Sequence, residues 1–595
     1  MLIAFTLAGL AAFATPMQSA PSPRALGAPA ADVTSGRLRL PEPSAHAVRS
    51  RGSWFEVSAL DAPLLFDAGG GLELALVAPD PRGQELFVRE PGGAWRDVLA
   101  APDIERASAV LDEPLRGWVI QRVSLPAGGV LEVLPRAEGH ALLVARDASP
   151  IVLEAWLDGW SRVAGEAPTL TARLDGTADG ASVTATLEDA LGTHEFALTP
   201  TGDRTWAADL PQSLTGRVRA RIDARAGVQL ARTAFLTFTL HERPLLLTGT
   251  VALRELAPER VELALEAWPL APGGRFLVAG ELWGRDTQGL PQPACWLARL
   301  DAPRARGALW EFALELDLRW PALAGLTGPF ELRALRIQDA DTFGVLEERD
   351  ALALPDLPAW SGPPPAAPTP SMLGLAAPLR PAAGHQVLDR ALMLVHGYCS
   401  GGNVWPQVDF TQPKQTFLDP NQNRTHDAFA QLLAAAGASH DSFGVVAHSQ
   451  GGAAALHLLT FYESPLDHAL GQRRIQSVAT PYQGTPLASL GSFACGVNDD
   501  MTPSGAATWL ANIPSWARAE VSYWTTSDAG SACNAFTSLL LADPEDGTVE
   551  KFRGQLPGAN DMGHTTGWCH TTGMSYPANY NDPARNVAMD AAAAR

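Results

Sequence analysis

Lysine is nearly missing from this chain: Lys414 and Lys551 are the only two among 44 basic residues, and the rest are arginine. Basic charge of either kind is outnumbered, because 64 Asp+Glu bring the formal net charge to −20. A phosphate-backbone binder needs a basic face, so nucleic acid is not an expected partner. No block of like charge forms an interaction tail. Cysteine is scarce too, with five in 595 residues, and none has the CxxC or Cys/His spacing that suits zinc. Long apolar runs are missing outside the N-terminus, which excludes a multi-pass membrane protein. Hydrophobic residues make up 46%, as in globular chains, and this excludes a wholly disordered, collagenous or coiled-coil chain. A length of 595 predicts three or four domains.

What is present begins with residues 2–14, LIAFTLAGLAAFA, a short apolar stretch with no Lys or Arg before it. Pro16 and a Ser/Pro/Ala-rich tract to about residue 32 follow. The pattern resembles a secretory leader within residues 1–20, with Ala12-Phe13-Ala14 as the small-x-small cleavage site. A secreted or periplasmic location is therefore expected. Cys399, Cys495, Cys533 and Cys569 all lie in the last 200 residues, and in an exported chain two disulfides are the natural expectation. Cys295 is the odd one and reads as a buried thiol.

Residues 35–350 read as β-structure. Ser182–Leu187 and Leu236–Leu240 alternate apolar and polar residues with period two. Gly, Asp and Pro punctuate such runs every 8–12 residues, which predicts sandwiches or barrels. The expected units are a β-rich domain at 35–150, an Ig-like sandwich at 151–245 and a second at 246–352. A spacer role is the simpler expectation for them; contact with a surface or glycan is the sharper one. Nine prolines between Pro355 and Pro381 predict an extended interdomain linker over 353–388.

Beyond it, apolar runs alternate with helical stretches: Leu392–Val395, a helix near Thr425–Ala436, Phe443–Ala447, a helix at Gly451–Phe461, Ile475–Ala479 and Val521–Trp524. Strand–helix alternation predicts a parallel sheet covered by helices. The expected fold class is thus multidomain: N-terminal all-β, Ig-like modules and a C-terminal α/β-hydrolase domain at 389–595.

The chemistry-bearing segment is Ala447-His448-Ser449-Gln450-Gly451-Gly452, which follows an apolar strand and opens a helix. A nucleophile elbow needs that context, because the sharp turn lifts the serine Oγ off the sheet edge. Leu394-Val-His-Gly-Tyr398 lies upstream, and the backbone N–H groups of Tyr398 and Gln450 are the expected oxyanion donors. His396 would shape that loop. Serine needs a base, and the fold's chain order is Ser, acid, His. His457 lies in the elbow's own helix and His468 precedes the next strand, which leaves His564 and His570. Asp546, in Glu545-Asp-Gly-Thr-Val549, and Asp528, after the strand Val521–Trp524, are the candidate acids.

The segments LVHGYCSGG, VVAHSQGG, VATPYQGTP, DGTV and LPGAN followed by GWCHTTG resemble secreted bacterial triacylglycerol lipases of the α/β-hydrolase fold. The resemblance covers about the last 205 residues. It implies Ser449, Asp546 and His570 as the triad, in preference to Asp528 and His564. In that fold the loops of Cys399 and Cys569 border the nucleophile, which implies Cys399–Cys569 and Cys495–Cys533 bridges. Residues 486–520 lie where lipases place a lid, although a packed helix is the expectation. No cofactor is implied. Asn498-Asp499-Asp500 offers oxygens of the kind calcium takes, but three adjacent polar residues read first as a turn. The whole chain also resembles, more loosely, exported proteins of the conditioned-medium-factor type, which share a His-Gly-Tyr-Cys-Ser style segment.

Three functions follow as expectations. The first is a secreted serine hydrolase of carboxylic esters, of lipase or esterase type, acting on an ester or lipid. The second is a secreted signalling or binding protein that keeps the fold without physiological hydrolysis. The third is a surface adhesin in which the β-units do the binding.

Overall fold

The computed structural model describes residues 21–595 apart from 58–59, 61, 80–82, 102–104, 111–118, 138, 140, 177–178, 228–229, 376–388, 401–402, 422, 494, 529–536, 538–539 and 571–581. The expected leader lies outside the described residues.

The β-rich half consists of three pairs of antiparallel sheets. Period-two alternation sets their registers, because a one-residue slip would turn every core side chain to water. Ser182–Asp189 buries Val183, Ala185 and Leu187 and leaves the residues between them more open. The second unit's core joins these to Ala220 and Ile222 from the neighbouring strand Gly216–Ala226. The third unit packs Leu263, Leu265, Leu314, Leu332 and Ile337 between its sheets.

Residues 21–50 do not respect contiguous boundaries. Leu26–Pro29 pairs with Pro291–Asp301 of the third unit, and Val48–Ser50 pairs with Val152–Asp158 of the second. The described part of the Ser/Pro/Ala-rich tract is therefore built into the fold, with Leu26 and Ala28 buried, and Val33 just beyond it is buried too. Strands of three or four residues that dock on remote sheets carry no local periodicity, so the tract reads as a linker in sequence.

The proline-rich segment also departs from expectation. Its first part, through residue 375, packs on the third unit, where Met372 is buried and its carbonyl accepts a hydrogen bond from Trp320 Nε1. Residues 376–388 lie outside the described residues.

The C-terminal region holds a six-stranded, wholly parallel sheet in the order Lys414–Thr416, Arg390–Val395, Ser442–His448, Ile475–Val478, Val521–Ser527, Asn560–Thr566. Parallel neighbours need crossover connections, and helices His426–Gly437 and Gln450–Phe461 supply two of them. Thr425 caps the first helix by accepting a hydrogen bond from the Ala428 N–H. All twelve residues of the second are buried. Among the described residues, no helix is long and apolar enough to cross a membrane.

One hydrophobic core runs through the third β-unit and the C-terminal sheet. It joins Leu26, Val33, Trp296 and Phe343 to Phe429, Leu433 and Phe461. Polar locks cross the same boundary. Arg24 Nη2 donates to both carboxylate oxygens of Asp467 at 2.6 and 2.7 Å, with both side chains buried. Arg275 holds Asp427 through two hydrogen bonds of 2.9 and 3.0 Å.

Candidate functional site

The site lies at the C-terminal ends of the parallel strands. The chain leaves Ser442–His448, turns at Ser449 and enters helix Gln450–Phe461. Ser449 has φ 51° and ψ −134°, a region that side-chain-bearing residues rarely occupy and that costs about 1–3 kcal/mol. The surroundings pin it there. Its N–H donates to Val478 O at 3.0 Å, and its own carbonyl accepts from Thr480 Oγ1 at 2.7 Å and from Gly452 N at 3.1 Å.

Three glycines make room for this turn. A Cβ on Gly397 would sit 2.5 Å from Ser449 Cβ, one on Gly451 would sit 2.4 Å from His396 O, and one on Gly452 would sit 2.3 Å from Thr480 Oγ1. The loop after Arg390–Val395 is thus pressed against the serine. Among the described residues, neither the Tyr398 N–H nor the Gln450 N–H has an acceptor. Both flank Ser449 in the chain or across this contact. His396 shapes the loop: its Nδ1 lies 2.8 Å from Gly397 O, and its Nε2 accepts from Asp419 N at 3.0 Å. Burial pushes its pKa down.

Asp546 and His570 meet. His570 Nδ1 lies 3.1 Å from Asp546 Oδ2, and the His570 N–H donates to Asp546 O at 2.7 Å. Asp546 is 1% exposed, and its carboxylate also accepts from Thr526 Oγ1, Thr548 N and Val549 N. A carboxylate so held fixes both the position and the tautomer of the ring it binds. His448, the residue before Ser449, sets its ring 4.7 Å from the His570 ring and its Nε2 2.7 Å from His570 O. The histidine loop is thereby docked beside the serine turn. Among the described residues, Ser449 Oγ itself makes no hydrogen bond.

The alternatives are placed differently. His564 lies in strand Asn560–Thr566, with Thr525 Oγ1 and Ser527 Oγ each 2.9 Å from a ring nitrogen, and burial lowers its pKa. Both nitrogens are occupied by hydroxyls, so it has no free face for a serine. The Asp528 N–H donates to Glu545 O at 2.8 Å, and Asp528 Oδ2 lies 3.5 Å from Cys569 Sγ.

The cysteine pairing corrects the expectation. Cys399 is bonded to Cys495, not to Cys569, and Cys495 is therefore not bonded to Cys533. Cys569 is disulfide-bonded as well, and Cys533 lies outside the described residues. The segment at Cys495-Gly496 lies against the loop of Tyr398, whose hydroxyl donates to Gly496 O, and this brings Cys495 to Cys399. Cys295 is a buried free thiol, as the sequence predicts.

Within 486–520, Pro486–Phe493 and Asp499–Met501 are 3-10 turns, Pro503–Leu510 and Ser515–Arg518 are helices, and Trp509 and Ile513 are buried. Asn498, Asp499 and Asp500 are buried. Asp499 Oδ2 accepts from Thr239 Oγ1, and Asp500 Oδ2 accepts from His426 N. Among the described residues, no group of three or more His, Cys, Asp or Glu could hold a metal ion.

Sequence reading missed Thr526, Thr480, His448 and Gly397. Thr480 lies inside the quoted VATPYQGTP segment and His448 inside VVAHSQGG, so their places were visible but their contacts were not.

Residues 388–593 match the family model "Conditioned medium factor C-terminal domain", and residues 277–371 match "Conditioned medium factor 3rd Ig-like domain". Conditioned medium factor of Dictyostelium discoideum is 39% identical over 339 residues, which is 52% of this chain and 48% of that protein. The chain is thus homologous to that factor over half its length and spans about half the length of the curated relative it matches. A DUF4785 family protein from Legionella pneumophila aligns over 52% of this chain and 90% of its own, at 13% identity and TM-score 0.37. Phospholipase PlaB from the same organism aligns over 28% of this chain and 44% of its own, at 13% identity and TM-score 0.24. Of the functional readings drawn from sequence, the homology favours the second, a signalling or binding factor, over the first.

Proposed function

We propose that this chain is an exported signalling or binding factor of the conditioned-medium-factor kind. The observation that carries this reading is the match of an Ig-like and a C-terminal domain, in chain order, to that factor's own domains. The apolar N-terminal stretch supports export. The test is binding of the labelled, purified chain to intact cells of the organism that makes it. Saturable binding that survives Ser449→Ala supports the reading. Its absence overturns it.

A second reading is favoured by the turn at Ser449 together with the Asp546–His570 pair. In it the C-terminal domain is an α/β-hydrolase that cleaves carboxylic esters. Ser449 Oγ attacks the ester carbonyl while His570 takes its proton. Asp546 holds the imidazole and stabilises the imidazolium. The negative oxygen is met by the N–H groups of Tyr398 and Gln450, which have no acceptor among the described residues. His570 returns the proton to the leaving alcohol, and water then releases the acyl group by the same path. Hydrolysis of p-nitrophenyl esters from acetyl to palmitoyl, lost in Ser449→Ala, supports this reading. Equal inertness of both proteins on every ester overturns it.

A further inference from the structure

We infer that the second β-sandwich positions the two main-chain donors beside Ser449, by clamping Ser489, Asp499 and Ser504; the inference rests on the hydrolase reading of that site. Two hydroxyls on one face of strand Leu230–Leu240 reach this segment. Thr237 Oγ1 donates to Ser489 O at 3.2 Å, and Thr239 Oγ1 donates to Asp499 Oδ2 at 2.5 Å. Arg217, paired with Thr239 on the neighbouring strand, lies 3.8 Å from the same carboxylate. Arg162 of the same unit, itself buried, donates Nη2 to Ser504 Oγ at 2.8 Å.

The clamped segment in turn holds both donor-bearing residues. Cys495 is bonded to Cys399, next to Tyr398, and the Tyr398 hydroxyl donates to Gly496 O. Asn498, adjacent to Asp499, donates Nδ2 to Arg424 O at 2.7 Å, and Gln450 Nε2 donates to the same carbonyl at 2.7 Å. Both donor residues are therefore tied to the stretch Cys495–Asn498, immediately before Asp499. The segment near it consists of 3-10 turns, which hold themselves poorly and depend on anchors outside. Oxyanion donors act only when held within about half an ångström of the position that places them at hydrogen-bond distance from the reacting oxygen. A β-module that anchors their support is part of the site and not a spacer.

The test uses Thr239→Val and Thr239→Ser in the full chain. It reads hydrogen exchange over residues 396–400, together with kcat and KM on p-nitrophenyl acetate. In Thr239→Val the exchange should quicken and kcat should fall about tenfold, less than the 10²–10³ for outright loss of one donor, with KM within about twofold. Thr239→Ser, which keeps the hydroxyl, should restore both. Unchanged exchange in Thr239→Val overturns the inference. So does a loss that appears only as lower thermal stability and is not restored by serine. If the wild type turns over no ester, the hydrolase reading falls, and exchange at 396–400 alone decides the clamp.

Discussion

Gly397→Ala tests the closest contact in the site. The added Cβ would lie 2.5 Å from Ser449 Cβ and 3.0 Å from both Ser449 Oγ and His448 O. Carbon atoms settle at about 3.5–4.0 Å, so the overlap is about an ångström. Ser449 cannot yield cheaply, because Val478 O, Thr480 Oγ1 and Gly452 N already hold its backbone. The loop of Tyr398 must move instead, while the Cys399–Cys495 bond resists. Overpacking of this kind costs about 1–3 kcal/mol. In a domain of about 200 residues, roughly 2–4 °C of Tm goes with each kcal/mol, so a drop of roughly 2–12 °C is expected. Gly129→Ala, where a Cβ meets nothing within 4 Å, is the control and should leave Tm unchanged. The assay is differential scanning calorimetry of the three proteins, with fluorophosphonate labelling of Ser449 alongside. Equal Tm and equal labelling in Gly397→Ala and wild type would refute the reasoning.

On the hydrolase reading, Asp546→Asn should cut ester turnover by about 10⁴ while Ser449 and its turn stay folded, as steady-state kinetics and circular dichroism would show; turnover within a few-fold of wild type would remove Asp546 from the site. Arg24→Ala leaves Asp467 buried without its partner and should cost about 3–5 kcal/mol in urea unfolding, with earlier proteolysis of residues 21–39. Acidification should also destabilise the fold. Burial holds His426 neutral, with its pKa pushed down to about 3, and burial likewise lowers that of His448. The unfolded chain takes these protons near pH 6.5, so below that pH it binds more protons than the native state. Stability is therefore present above about pH 6.5 and falls as pH drops towards 3, by roughly 1 kcal/mol per pH unit for each such histidine. Urea midpoints at pH 7.5, 5.5 and 4.5 check this, and a flat series would contradict it.

The parts of the site that were legible in sequence are the local ones. Ser449 between an apolar strand and a helix, with Gly451 two residues on, announces a turn that only a tight backbone can make. The order Ser449, Asp546, His570 could be proposed because the segments Glu545-Asp-Gly-Thr-Val549 and Gly567-Trp-Cys-His570 follow the elbow in the order that the lipase resemblance implies. The parts that were not legible depend on tertiary approach. Cys399 reaches Cys495 because the segment at Cys495-Gly496 lies against the loop of Tyr398, and no spacing encodes that approach. Leu26–Pro29 looks like linker because four residues of Leu, Gly, Ala and Pro show no period, yet it completes a sheet some 270 residues away in sequence. The prolines through Pro370 predicted an extended spacer, but Met372 beside them is buried in the third unit. Periodicity reports which face of an element is apolar, not which remote surface covers it.

The most direct measurement is saturable binding of the labelled wild-type chain and of Ser449→Ala to intact cells of the producing organism, with ester turnover followed on the same preparations. The account predicts equal, saturable binding by both proteins, whatever the turnover. No saturable binding by either, alongside ester turnover that vanishes in Ser449→Ala, would contradict it and leave a hydrolase in its place.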